Sequence, residues 1–135
     1  MDFSLSEDQL AFLDVAREFA QKQLAPYAAE WDKQKIFPVE TLRAAGALGF
    51  CGMYCPEQLG GTGLSRMDAA LLLEELAQGC TSTAAYISIH NMAAWMVATW
   101  GSADVQAQWL GDLAAGRRPL CHQRSQGIYC LLYTS

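Results

Sequence analysis

The sequence predicts an all-α fold of about five helices followed by an irregular C-terminal tail. Apolar residues recur at the three- and four-residue spacing of amphipathic helices through most of residues 5–115. Helix-starting residues such as Ser6 and Ser102, and helix-ending glycines such as Gly49 and Gly116, bound those stretches. No strand-like alternation of any length occurs up to that last glycine.

The first helix is predicted over residues 5–35, with an interruption at Pro26. Ser6 is the expected N-cap, and Gln9 three residues later completes a capping box. Because proline has no N–H to donate and its ring clashes with the preceding turn, Pro26 is expected to kink or restart the helix. The residues before it form a wide apolar face of Leu10, Phe12, Leu13, Ala16, Phe19, Ala20 and Leu24.

A second helix is expected to begin at Pro38 and to end near Gly49, because proline favours the first helical position and glycine the helix end. A glycine-rich loop follows. Its run at residues 60–63 has the glycine content of a phosphate-binding loop, but the lysine of such a loop is missing and no strand–helix–strand pattern surrounds it. A glycine-permitted turn leading to an N-cap at Ser65, with Asp68 three residues later, is the better explanation.

The densest apolar sequence lies in residues 67–100 and divides into two helices at residues 79–82. The first helix is one-sided, whereas apolar residues occur on every side of the second, which predicts a central, buried helix. Its polar side chains then need partners, so His90 and Asn91 are interpreted as a hydrogen-bonded core histidine and a satisfied amide. A membrane-spanning helix is disfavoured, because polar residues interrupt an apolar run shorter than the roughly 20 residues that a bilayer requires.

A fifth helix is predicted over residues 103–115. The character of the sequence then changes, since residues 117–135 contain basic residues but no acidic ones and show neither helical nor strand periodicity. We therefore predict one helical domain, residues 1–118, and a C-terminal tail, residues 119–135, that is disordered and foreign to the domain.

The composition narrows the classes of function and location. The chain has a formal net charge of −5 and no basic stripe, which argues against nucleic-acid binding. Its 5 cysteines form no Cys-x-x-Cys pair, so buried thiols in a reducing compartment are expected rather than a disulfide framework. No secretory signal or transit peptide is visible, which predicts a cytoplasmic protein, or a mitochondrial matrix protein if the sequence is a mature organellar form.

The residues alone show no catalytic or metal-binding constellation. His90 and His122 are the only histidines, and neither has metal-ligand partners at suitable spacing. Glu74 and Glu75 are adjacent, so they diverge on a helix and are expected to be solvated. The residues therefore predict a helical domain whose buried central helix carries a few polar groups.

Several short stretches, in their order and spacing, resemble the N-terminal helical domain of the acyl-CoA dehydrogenase family. The resemblance covers about residues 3–116. Within the family, residues 79–92 are most similar to members that act on short branched acyl-CoA thioesters such as isobutyryl-CoA. The matching stretches are LSEDQ, LAP, AEWD, FP, LGF, GGTGLSR, EELA, GCTST and AYISIHNM.

The resemblance implies an up-and-down helical domain of a flavoenzyme of fatty-acid or valine catabolism. Such enzymes remove the α-proton of an acyl-CoA with a glutamate while the β-hydrogen leaves as hydride to FAD, and an electron-transferring flavoprotein accepts the electrons. In the family a β-domain and a C-terminal helical bundle follow, and subunits assemble as homotetramers. Because those later parts carry the glutamate and most flavin contacts, we expect no catalytic or cofactor-binding residue here and no activity from this chain alone.

The resemblance also implies that the second helix of residues 67–100 forms one wall of the acyl pocket. The implied substrate-binding positions are Ala84, Ala85, Ser88, Ile89 and Met92. Relatives that take longer straight chains have a small residue, often glycine, at the position of Ile89. A branched side chain there is expected to fill depth and favour a short substrate. The alternative is that Ile89 is simply a core residue.

The tail departs from the family pattern. After Arg118 the family enters its β-domain through a Thr-Glu-Pro-Gly run, which residues 119–135 lack. Two hypotheses follow. The chain is either an N-terminal fragment of a short-branched-chain acyl-CoA dehydrogenase, inactive alone, or a stand-alone helical interaction module that pairs with full-length subunits through apolar surface.

Overall fold

The computed structural model describes residues 4–118, and this part of the chain is all-α. The predicted disorder of residues 119–135, together with Cys121, His122 and Cys130, lies outside the described residues. The division into a domain and a tail stays a prediction. The helices are α1 (Glu7–Phe19), α2 (Ala28–Gln34), α3 (Val39–Ala47), α4 (Arg66–Gly79), α5 (Thr81–Trp100) and α6 (Ala103–Ala114).

The N-terminal helix begins as predicted but is followed by a π-helical turn. The backbone N–H of Gln9 donates to Ser6 Oγ at 3.2 Å, and that of Ser6 donates to Gln9 Oε1 at 2.9 Å, so the capping box is present. Over Ala20–Leu24 the helix widens, and Ala25 N donates to Ala20 O at 2.9 Å. The predicted interruption at Pro26 is confirmed: α2 is a separate helix, which gives six α-helices within residues 4–118 where about five were expected.

The apolar face predicted for α1 is only partly buried. Leu13, Ala16 and Phe19 are buried, but Leu10 is 50% exposed and Phe12 46% exposed. Leu10 and Phe12 therefore lie outside the core, because α4 covers a narrower strip of α1 than its apolar face offers.

The segment between α3 and α4 follows the glycine and capping signals. Pro38 is the residue before α3 rather than its first residue, one position from the prediction. Gly49 has φ of 85° just after the helix, a conformation that favours glycine. Residues 50–65 form an irregular loop with a single 3₁₀ turn at Glu57–Leu59. The capping box of Ser65 and Asp68 is present at the start of α4.

The four longest helices pack in sequence order, α4 against α1 and α5, and α5 against α6. Most of the core lies between α1, α4 and α5, and the loop after α3 covers one end of it. No helix in residues 4–118 combines the length and the apolar content needed to cross a bilayer. Among the buried apolar side chains are Leu13, Phe19, Leu24, Leu42, Phe50, Met53, Leu72, Leu76 and Ile87.

The prediction that α5 is buried on every side is wrong within the described residues. One half of its surface is buried, and the other half carries exposed apolar side chains. The helix is apolar all round, as the sequence indicates, but α4, α6 and the loop after α3 cover only one side of it. The buried residues of α5 are Thr83, Ala84, Ile87, His90, Asn91 and Ala94.

Candidate functional site

The uncovered side of α5 is a continuous apolar strip. We define the open face of α5 as Ala85, Ser88, Ile89, Met92 and Met96, which follow one another at helical spacing. Ile89 is 51% exposed and Met92 is 52% exposed, while Ser88 and Met96 are half-buried. Large apolar side chains exposed side by side on one helix indicate a surface that binds something.

The structure brings four of the five predicted site residues together on this face. Ala85, Ser88, Ile89 and Met92 all belong to it, whereas Ala84 is only 5% exposed and packs into the core. Ile89 is not part of the core that residues 4–118 form, because half of its surface is exposed.

Behind the open face, Asn91 is fully buried and fully hydrogen-bonded. Its Oδ1 accepts from Met53 N at 2.7 Å, and its Nδ2 donates to Phe50 O at 2.6 Å and to Ile87 O at 2.9 Å. The interpretation of Asn91 as a satisfied amide is confirmed. The amide ties α5 to the loop after α3, because two of its partners lie in that loop.

His90 is the second buried polar anchor of α5. Its Nε2 lies 2.8 Å from Leu113 O, and since a carbonyl oxygen only accepts, Nε2 is the donor. Burial lowers the pKa of His90, and the hydrogen bond to Leu113 opposes this to a smaller extent. The interpretation as a hydrogen-bonded core histidine is confirmed, and the side chain points away from the open face.

The chemistry available on the open face is recognition rather than catalysis. Its side chains are methyl, branched alkyl and thioether groups with one hydroxyl, that of Ser88, and it carries no carboxylate, imidazole or thiol. In residues 4–118 no three His, Cys, Asp or Glu side chains come close enough to hold a metal ion. The thiols of Cys51 and Cys55 are buried, and burial raises the pKa of Cys55, which disfavours the reactive thiolate.

Two features near α5 had no signal in the sequence. The Arg66 guanidinium lies over the Tyr54 ring, 4.2 Å from its centroid, and 4.8 Å from that of Trp95 beside the open face. A cleft of about 270 Å³ separates α2 from the start of α5. The ring contacts of Arg66 and the lining of the cleft each bring together residues that are far apart in the chain, so local sequence patterns do not reveal them. The cleft is lined by Ala28, Trp31, Asp32, Lys35, Ile36, Phe37, Pro38, Cys80, Ser82, Thr83 and Tyr86.

The adjacent carboxylates of α4, Glu74 and Glu75, differ in their exposure to solvent. Glu74 is exposed as predicted, but the side chain of Glu75 is only 12% exposed. Its two carboxylate oxygens accept from Arg17 of α1, with Oε1 2.7 Å from Nη2 and Oε2 3.2 Å from Nε. The prediction is wrong for Glu75, because a basic residue of the neighbouring helix faces it.

Residues 6–117 match the family described as acyl-CoA dehydrogenase, N-terminal domain. The chain belongs to this family. The family resemblance and the all-α prediction are thus confirmed, and the family is one of flavin-dependent oxidoreductases.

Among family members, the chain is 45% identical over 127 residues to the mitochondrial isobutyryl-CoA dehydrogenase of Bos taurus, covering 94% of this chain and 29% of that protein. It is 43% identical over 111 residues to the mitochondrial isobutyryl-CoA dehydrogenase of Dictyostelium discoideum, covering 82% and 27%. The structure of butyryl-CoA dehydrogenase from Megasphaera elsdenii is similar with a TM-score of 0.80 at 30% identity, covering 88% and 32%. The chain spans less than a third of the length of these relatives.

Proposed function

We propose that this chain is the N-terminal part of an FAD-dependent acyl-CoA dehydrogenase that converts a short branched acyl-CoA, of the isobutyryl-CoA type, to its α,β-unsaturated thioester. The open face of α5 would form one wall of the acyl pocket. One observation supports this proposal most directly. Four residues implied by the family resemblance lie on an apolar face that the described residues leave uncovered, namely Ala85, Ser88, Ile89 and Met92. The names of the two curated relatives support the branched substrate.

The physical basis of recognition is burial of the acyl chain against this face. Each methylene group removed from water contributes about 0.8 kcal/mol, so an apolar wall favours a hydrocarbon chain. The side chain of Ile89 projects from the middle of the face and occupies the depth that a longer chain needs. Ala84 is the least supported member of the proposed wall, because its side chain packs into the core.

We propose that FAD and the catalytic base are supplied by residues outside 4–118. The open face offers one hydroxyl and no base, and the cleft of about 270 Å³ beside α2 is smaller than the pockets that hold drug-sized ligands. FAD is larger than such ligands, so the described residues do not fit it. Inactivity of the chain alone, electron transfer to an electron-transferring flavoprotein and homotetramer assembly belong to the same proposal. The mitochondrial relatives support a matrix location over the predicted cytoplasmic one.

The test is acyl-length selectivity in a chimera, the cattle isobutyryl-CoA dehydrogenase in which residues 6–117 of this chain replace the matching segment. The Ile89→Ala variant removes the branched side chain without the helix cost of glycine. We expect the ratio of kcat/KM for hexanoyl-CoA to that for isobutyryl-CoA to rise about tenfold. Val97→Ala, on the side of α5 that packs against α6, is the matched control and should leave the ratio unchanged. Equal ratios in both variants would contradict the proposed wall.

The second candidate function is a stand-alone helical interaction module that pairs with full-length subunits. The exposed apolar residues of α1 and α5 favour it, since such surfaces bind partners or aggregate. Size-exclusion chromatography of the 135-residue chain with and without a full-length relative distinguishes the two. Co-elution as a defined complex supports the module, and a monomer that ignores the relative counts against it.

A further inference from the structure

We propose that Asn91 is a positioning residue of the acyl pocket: its buried amide fixes the rotation of α5 about its axis and so determines which side chains face the acyl chain. This inference rests on the proposed function and goes beyond it, because Asn91 lies behind the wall and does not line it.

The partners of Asn91 belong to a segment that is itself held in place. Asn91 accepts from Met53 N at 2.7 Å and donates to Phe50 O at 2.6 Å. Phe50 N donates to Ala45 O of α3 at 3.0 Å, and Leu64 N donates to Met53 O at 2.8 Å. The amide therefore attaches α5 to a backbone segment that is bonded on both sides, and not to a free loop.

His90 supplies a second anchor in a different direction. Its Nε2 donates to Leu113 O at the C-terminal end of α6, 2.8 Å away. Consecutive residues of an α-helix point about 100° apart, so His90 and Asn91 reach two different neighbours from one turn of α5. Two anchors in different directions resist rotation of α5 more strongly than one anchor would, in addition to the packing of its buried apolar side chains.

The centre of the open face lies opposite these anchors, and Ile89 and Met92 lie within one turn of them. At about 100° per residue, Ile89 points roughly 160° away from Asn91. A rotation of α5 by about 20° moves an atom 6 Å from the helix axis by about 2 Å. Because misplacement of about 1 Å at a reacting centre costs about 100-fold in rate, even a small rotation changes the fit of the acyl chain. Loss of the amide should therefore alter selectivity and not only stability.

The experiment compares Asn91→Ala with Leu110→Ala in the same chimera. Leu110 is buried on α6 and takes part in neither anchoring bond, so its truncation controls for general destabilisation. We expect the ratio of kcat/KM for isobutyryl-CoA to that for hexanoyl-CoA to fall about tenfold in Asn91→Ala and to stay within about twofold in Leu110→Ala. If both variants lose activity equally for the two substrates, Asn91 has only a structural role and the proposal is overturned.

A second variant and a second measurement test the proposal even if the Asn91→Ala chimera does not fold. Asn91→Gln retains both amide atoms but moves them one methylene outward, and it replaces Asn91→Ala if that chimera does not assemble. In the 135-residue chain, hydrogen exchange at the Met53 amide should be faster in the Asn91 variant but not in Leu110→Ala. Unchanged exchange refutes the anchor. If the unsubstituted chimera shows no preference for isobutyryl-CoA, the proposed function fails while the exchange measurement still tests the anchor.

Discussion

His90 donates from Nε2 to the backbone oxygen of Leu113 at 2.8 Å, and this bond joins the buried side of α5 to the end of α6. His90 is 3% exposed, and burial holds the pKa of its imidazole below the ordinary value of 6.5. The folded protein therefore favours the neutral ring, because the charged form would lose hydration that the core does not replace.

Folding stability is expected to fall in mild acid because of His90. The histidine pKa is about 6.5 in the unfolded chain and lower in the folded one, so the unfolded chain binds more protons below pH 6.5. The stabilising contribution of the neutral His90 is fully present above about pH 6.5, and it is lost as the pH falls toward the pKa of the folded state. Each unit of difference corresponds to about 1.4 kcal/mol. Urea unfolding at pH 7.5, 6.5 and 5.5 measures it.

The control for this prediction is His90→Gln, whose side-chain amide can donate to Leu113 O but does not titrate. Its stability should be flat between pH 5 and 7. The carboxyl groups of Asp68 and Glu18 do not interfere, because hydrogen bonds from Gln9 and Lys22 respectively lower their pKa values below 3.8 and 4.5. An equal loss of stability in both proteins over this pH range would contradict the assignment to His90.

Two helical glycines are expected to respond oppositely to replacement by alanine. A Cβ at Gly79 would lie 2.6 Å from Ala20 O, the backbone of the π-turn, whereas a Cβ at Gly111 in α6 meets nothing within 4 Å. Gly79→Ala should therefore destabilise by about 1–3 kcal/mol through overpacking. Gly111→Ala should stabilise by about 0.5–1 kcal/mol because alanine loses less backbone entropy in a helix. Thermal unfolding followed by circular dichroism tests both, and a stabilised Gly79→Ala would refute the close contact.

The two serine caps of α4 and α6 are expected to differ in strength. Ser65 Oγ accepts from Asp68 N at 3.2 Å within a full capping box, whereas Ser102 Oγ accepts from Val105 N at 3.4 Å alone. Ser65→Ala should cost about 1 kcal/mol and Ser102→Ala less, because only the first also removes a second side-chain hydrogen bond, the one that Ser65 Oγ donates to Asp68 Oδ2 at 2.6 Å. Denaturant unfolding of the two variants gives the comparison, and a greater loss for Ser102→Ala is the contrary result.

Local signals predicted most helix boundaries correctly. The capping box at Ser6, the interruption at Pro26 and the positive-φ glycine at Gly49 depend on residues within a few positions of one another. Contacts between helices were less predictable. The Arg17–Glu75 ion pair and the Arg66 contacts with two rings join residues far apart in sequence, so no local pattern contains them.

The sequence by itself determined the family and the helical class, since these follow from motif order, helical periodicity and capping chemistry. The residues proposed for the wall come from the family resemblance. The sequence also indicated that α5 is apolar on all sides. Only the tertiary structure decided which side is covered: α4, α6 and the loop after α3 bury Ile87, His90 and Asn91, and leave Ile89 and Met92 exposed. Periodicity does not distinguish two apolar faces, because burial depends on which neighbours pack against each one.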